Sequence, residues 1–277
     1  MRVAAIQLNS TGDKDRNLET AERLMREAAA AGAELVVLPE KWNLLAPGPE
    51  QLAGSEDLDG PTLTATREWA RSLGVTLVAG SIPERSDDPA HGFNTSVLIG
   101  PDGHDIATYR KIHLFDVDVE GVTYRESDHE HPGDEIVTAG PVGSDGFTAG
   151  LSVCYDVRFP ELYRAMALAG ADLFTVPAAF TVPTGRAHWE VMLRARAIEN
   201  QAFVVAAGQV GEAPPHYDSW GHSMVVAPSG AILAQADGDG EAVVIADCDP
   251  AERDRVRAAM PLLASRRPDA YADRVAG

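Results

Sequence analysis

Short apolar runs alternate with helical stretches along nearly the whole chain, and this alternation limits the possible folds more than any other feature. Val3–Leu8 reads as a strand. In Arg16–Ala31, Leu18, Ala21, Leu24, Met25 and Ala28 recur at helical spacing until Gly32 stops the run. Glu34–Leu38 reads as a buried strand ended by Pro39. Thr62–Leu73 reads as a helix stopped by Gly74, and Val75–Gly80 as the next strand. Phe93–Ile99 and Asp105–Tyr109 pair as a hairpin over Gly100-Pro101-Asp102-Gly103. Strands are then expected at Glu135–Thr138 and Thr148–Val153. Pro160–Ala169 follows as a helix, with proline at its first position and Gly170 just past its end. Next come a strand at Asp172–Val176, a helix over Gly185–Asn200 capped by Thr184, and a strand at Ala202–Ala207. His222–Ala227 and Ala231–Gln235 form a hairpin, Ala242–Ala246 adds a strand, and Pro250–Met260 is the last helix. Crossovers mixed with hairpins predict a layered α/β fold with mixed sheets. No linker or repeat interrupts the pattern, so 1–277 reads as one domain.

Charge and cysteine content exclude several classes. A formal net charge of −19 argues against nucleic acid or an anionic membrane as partner. Two cysteines, Cys154 and Cys248, make no disulfide framework. The apolar start ends at Asn9, too soon for a secretion signal, and no run is long enough to span a membrane, so a cytoplasmic protein is expected. Lys14, Lys41 and Lys111 are the only lysines; every other basic side chain, histidine aside, is arginine. A lysine kept in such a chain points to a role that a guanidinium cannot fill.

Three strand ends carry residues that belong together chemically. Glu40 follows Leu35-Val36-Val37-Leu38-Pro39, Lys111 follows Tyr109-Arg110, and Cys154 follows Leu151-Ser152-Val153. Strand ends of this kind converge on one crevice in α/β sheets. A thiol attacking a carbonyl or nitrile carbon must lose its proton, which a carboxylate can accept. The charge that develops needs donors, and the Lys111 ammonium and the Tyr155 backbone N–H are candidates. The ammonium is also expected to lower the thiol pKa. Lys111–Glu135 is long, polar and without periodicity, as functional loops are.

These motifs resemble the nitrilase superfamily of carbon–nitrogen hydrolases. The matching pieces are Leu38-Pro39-Glu40, Tyr109-Arg110-Lys111-Ile112-His113-Leu114-Phe115-Asp116, and Val153-Cys154-Tyr155-Asp156-Val157-Arg158-Phe159-Pro160-Glu161-Leu162. The resemblance implies a Glu40–Lys111–Cys154 triad, with Glu126 as a further active-site carboxylate. It implies a four-layer α-β-β-α sandwich and hydrolysis of a linear amide through a cysteine thioester with release of ammonia, without cofactor or metal. A homodimer is implied through the helices Pro160–Ala169 and Gly185–Asn200, with the tail after about residue 261, Arg266–Arg274 included, lying over the neighbouring subunit. Ala179-Phe180, Thr184-Gly185-Arg186-Ala187-His188-Trp189-Glu190, Leu193-Arg194-Ala195-Arg196 and Gly221-His222-Ser223-Met224 are similar to the branch acting on deaminated glutathione. The substrate implied is a small amide carrying a 2-oxo acid, with omega-amidase, other aliphatic amidase, nitrilase and carbamoyl hydrolase activities as alternatives. Val119-Glu120-Gly121 departs from the family's Val-Pro-Gly, and Pro228-Ser229-Gly230 from its Pro-Trp-Gly.

Plainer roles stand beside these. A non-catalytic scaffold on the same fold is the alternative of a different class, against which the intact triad argues. Arg158 is a candidate for a substrate carboxylate, or for a pair with Glu161 or Asp156. Phe180 and Thr184 are candidates to line the pocket, by resemblance. His188 and Trp189 are expected to pack in the core, and Cys248 to be structural. Asp128-His129-Glu130-His131 has metal-ligand residue types, but alternating loop residues need not converge, so no metal site is expected there.

Overall fold

In a computed structural model, which describes residues 1–119, 121–213 and 217–271, the strands build two large mixed sheets. In the first, Arg2–Gln7 lies between Ala242–Asp247, antiparallel, and Leu35–Val37, parallel. Thr76–Val78 extends it in parallel, and Phe93–Ile99 runs antiparallel to that strand. Ile82–Glu84 and Asp105–Arg110 also pair with Phe93–Ile99. The second sheet runs Ile232–Gln235, Met224–Val226, Phe203–Gly208, Leu173–Ala178, Phe147–Leu151, Thr138–Val142.

Strand alternation makes the layers. Val3, Ala5, Leu35, Val37, Val78 and Leu98 share one buried cluster with Leu151, Phe203 and Val205 of the second sheet. Their neighbours Ala4, Ile6, Val36, Leu77 and Ile99 point the other way, against Leu24 and Met25 of helix Lys14–Ala30 and Trp69 of helix Pro61–Leu73. Tyr163 and Met166 of helix Pro160–Leu168, with Trp189 and Leu193 of helix Val182–Asn200, cover the outside of the second sheet. The fold is the expected α-β-β-α sandwich.

Several boundaries differ from the sequence reading. The helix expected to begin after Thr184 begins at Val182, because Pro183 fits the first turn, where no intrahelical N–H is needed. The stretch read as an unstructured loop holds a hairpin of Asp116–Val119 with Val122–Arg125 and a 3₁₀ turn at Glu126–Asp128. Ile82–Glu84 escaped notice because Pro83 argues against a strand; it lies at the sheet edge, where proline is tolerated. Two sequence readings, Glu120 in the family-divergent turn and residues 272–274 of the arginine-rich tail, lie outside the described residues. Among those described, no helix is long and apolar enough to cross a membrane.

Candidate active site

Glu40, Lys111 and Cys154 meet where the two sheets open at one end, around a cavity of about 740 Å³. Glu40 arrives from the strand Leu35–Val37 through Pro39. The turn is held by Gly80, whose Cβ, if present, would fall 2.0 Å from the Pro39 carbonyl oxygen, and by Trp42, which donates to the Ala79 carbonyl at 2.8 Å. Only 2% of Glu40 is exposed. Its Oε1 accepts from Lys111 Nζ at 3.0 Å and Asn94 Nδ2 at 2.9 Å, and its Oε2 accepts from the Ala179 N–H at 2.9 Å. Asn94 sits on the strand beside Asp105–Arg110, and its carbonyl also accepts from the Lys111 N–H. One asparagine therefore aligns both the base and the lysine.

Cys154 follows the strand Phe147–Leu151 with a φ of 49°, a left-handed backbone costly for a β-carbon residue. A 3₁₀ turn over Cys154–Arg158 starts there, and the early N–H groups of such a turn, Tyr155's included, have no partner within it. Asp156, fully buried, holds this geometry: Oδ2 accepts from the Val153 N–H at 2.8 Å and the Tyr109 hydroxyl at 2.7 Å. Its Oδ1 accepts from the His113 N–H at 3.1 Å and lies 2.7 Å from His113 Nδ1. The nucleophile turn and the segment after Lys111 are thus tied to one carboxylate.

Burial, then the Glu40 carboxylate that accepts the thiol's hydrogen bond, pushes the Cys154 thiol well above its usual range. Lys111 pulls it down, as expected, but is outweighed by burial and Glu40. Burial also works against the charge on Lys111, yet Glu126, Glu40 and Glu130 hold its pKa well above the ordinary value. Glu126 accepts from Lys111 Nζ and the Phe115 N–H, both at 2.7 Å. Burial would raise the Glu126 carboxyl, but Lys111 and Lys41 hold it low.

Beyond Asp156 and Asn94, the sequence reading missed two site residues. Lys41 Nζ lies 2.6 Å from Glu130 Oε1 and 3.4 Å from Glu126 Oε1, which brings Lys41 and Glu130 into the site. Two of the chain's three lysines therefore stand in one cavity, a sign that the lysine scarcity already held. Arg158 lines the cavity and pairs with neither Glu161 nor Asp156, because Asp156 is consumed by Tyr109, His113 and Val153. Its guanidinium lies 5.2 Å from the centre of the Phe180 ring and 3.1 Å from His188 Nδ1. Phe180 and Thr184 line the same cavity, Thr184 at 2.9 Å from the Thr181 hydroxyl. Trp189 is core, as expected; His188 is not, being exposed on the helix flank. Cys248 is fully buried, and burial pushes its thiol up to about 12.

The profile of the carbon–nitrogen hydrolase family matches residues 2–258. The chain belongs to that family. It is a hydrolase of carbon–nitrogen bonds other than peptide bonds, of the amidase kind. It is 43% identical to the human protein named deaminated glutathione amidase, over 97% of this chain and 83% of the other. Identity to the human omega-amidase NIT2 is 39%, over 98% and 96% of the two chains. The crystal structure of Saccharomyces cerevisiae Nit3, described as a member of branch 10 of the nitrilase superfamily, superimposes with a TM-score of 0.86. That match has 32% identity and covers 96% of each chain.

Proposed function

We propose that this amidase works through a thioester on Cys154, with Glu40 as general base and acid, Lys111 and the Tyr155 N–H as oxyanion donors, and Glu126 as the group that holds Lys111. The observation that carries this reading is one buried cluster. Glu40 accepts from the Lys111 ammonium at 3.0 Å, and both line one cavity with the Cys154 thiol, all three buried. Glu40 takes the thiol proton as sulfur attacks the amide carbon, and the carbonyl oxygen becomes an oxyanion beside Lys111. Collapse breaks the C–N bond, and Glu40 returns the proton to the leaving nitrogen. Water, deprotonated by Glu40, attacks the thioester; the acid leaves, and sulfur regains its proton. No cofactor is needed, since these groups supply every proton transfer.

The substrate class follows from the rest of the cavity. Lys41, Lys111 and Arg125 each face a carboxylate, whereas Arg158 lines the cavity without one among the described residues. A substrate carboxylate would complete it. The volume of about 740 Å³ is ample for a peptide-sized amide such as deaminated glutathione. The leaving group is then an amine, and ammonia for a primary amide.

Rapid-quench intact mass should show the acyl adduct on the wild type and none on Cys154→Ala. Full turnover by Cys154→Ala would end the mechanism. A higher kcat/KM for 2-oxoglutaramate than for deaminated glutathione would move the assignment to omega-amidase. We further propose that residues 1–277 form one cytoplasmic enzyme domain acting as a homodimer. Leu168, Val191 and Ile198, all apolar and exposed on the two outer helices, support that pairing, and sedimentation velocity tests it.

A further inference from the structure

Outside the catalytic cavity, Asp88, His91 and His131 offer one donor atom each, all three within 4.8 Å of one another. Asp88 Oδ2 lies 2.8 Å from His91 Nδ1 and 3.2 Å from His131 Nε2. Around a tetrahedral Zn²⁺ with bonds of about 2.0–2.1 Å, neighbouring ligand atoms stand about 3.3 Å apart; the two Asp88 contacts, at 2.8 and 3.2 Å, are shorter, and an ion would draw the three donors, all within 4.8 Å of one another, around itself. The backbone holds the set in place. Asp88 Oδ1 is occupied by the Ala90 N–H, which leaves Oδ2 for the imidazoles. Gly92 donates to the His129 carbonyl and accepts from the His131 N–H, so the 88–92 turn and residue 131 are tied together. All three side chains are only half-buried, which leaves an open position for water or an exchanging ligand.

We propose that Asp88, His91 and His131 form a binding site for a borderline transition-metal ion of the Zn²⁺ class, and that the ion clamps residues 126–131. Two imidazoles and one carboxylate suit such an ion; an oxygen-poor set does not suit Ca²⁺ or Mg²⁺. The clamp follows from the chain path. His131 adjoins Glu130, which pairs with Lys41, and lies five residues from Glu126, which pairs with Lys111. The ion would join this segment to the Asp88–His91 turn by bonds stronger than the two backbone hydrogen bonds there. Its metal types are those of the Asp128–His131 run, but the partners of His131 come from 40 residues upstream rather than from its neighbours.

The test is equilibrium dialysis of Zn²⁺ against untagged full-length protein. The Cys154→Ala variant is used so that the nucleophile thiol takes no metal. One ion per chain is expected, with an affinity loss in His91→Ala, His131→Ala and Asp88→Asn at least as large as the roughly 10–100-fold cost of removing an outer-sphere partner. These side chains are half-exposed, and unchanged circular dichroism confirms that the variants fold. Amide hydrogen exchange across 126–131 should slow when Zn²⁺ is added. Absence of binding, or binding that survives both histidine substitutions, overturns the site. Binding at these residues with unchanged exchange across 126–131 overturns the clamp.

Discussion

Replacing Asp156 by asparagine should damage the enzyme more than its distance from the scissile bond suggests. Both carboxylate oxygens face donors only: the Val153 N–H and Tyr109 hydroxyl at 2.8 and 2.7 Å on one side, the His113 N–H and Nδ1 at 3.1 and 2.7 Å on the other. Burial and the Asp156 charge push the Tyr109 phenol well up, so it stays a donor. An asparagine must turn its NH₂ toward one of these pairs. Two hydrogen bonds to a charged acceptor are lost, at about 1.5–3 kcal/mol each, and two buried donors are left facing a third. A destabilisation of about 3–5 kcal/mol follows, the usual range for breaking a buried charged pair. In urea the midpoint should fall at constant m-value, and Tm should drop by about 2–4 °C per kcal/mol. The Cys154 turn loses the contact that holds its φ at 49°, so kcat/KM should fall more than tenfold below the unfolding range. A loss under about 1 kcal/mol with normal kcat/KM would refute the reasoning, since four short contacts would then be worth less than one ordinary hydrogen bond.

Lys111→Arg should lower kcat/KM by about 10²–10³, as removal of an oxyanion donor does, because the bulkier planar guanidinium does not reproduce from one nitrogen the contacts of 3.0 Å to Glu40 and 2.7 Å to Glu126 in a site only 1% exposed. Near-normal steady-state rates would remove Lys111 from the oxyanion role. Arg158→Gln should cost about 1.5–3 kcal/mol in kcat/KM, roughly 10–150-fold, for a carboxylate-bearing amide and little for a neutral one. Equal losses on both substrates would show that Arg158 only packs. Burial tends to raise the Glu56 carboxyl, but Lys14 and the Thr62 donors hold it below its usual 4.5. Its contribution is full above the unfolded pKa and fades as pH falls from about 4.5 through the lower folded value. Urea midpoints measured downward from pH 5 should therefore fall more steeply for wild type than for Glu56→Gln; parallel slopes would contradict the assignment.

Much of the site was readable because strand ends leave chemical signatures. Glu40, Lys111 and Cys154 each follow an apolar run, and an apolar run is a local signal. Asn94, Lys41 and Glu130 were not readable in that way. Asn94 lies in the middle of a strand, and Lys41 and Glu130 pair across 89 positions of sequence. Asp156 was visible only as one of the alternatives for Arg158, two residues away, because its actual partners Tyr109 and His113 are more than forty residues away.

The sequence by itself determined the alternation of strands and helices, hence a layered α/β fold with mixed sheets, and that Glu40, Lys111 and Cys154 each stand just past an apolar strand. These depend on period, punctuation and residue type, all written locally. The tertiary structure alone decided that burial and Glu40 raise the thiol's pKa, that Lys41 joins Lys111 in a shared carboxylate network, that Arg158 has no carboxylate partner among the described residues, and that His131 meets Asp88 and His91. Each of these turns on burial or on a distance between segments far apart in the chain. Coulomb and desolvation energies change steeply over those few ångströms, and no local pattern encodes them.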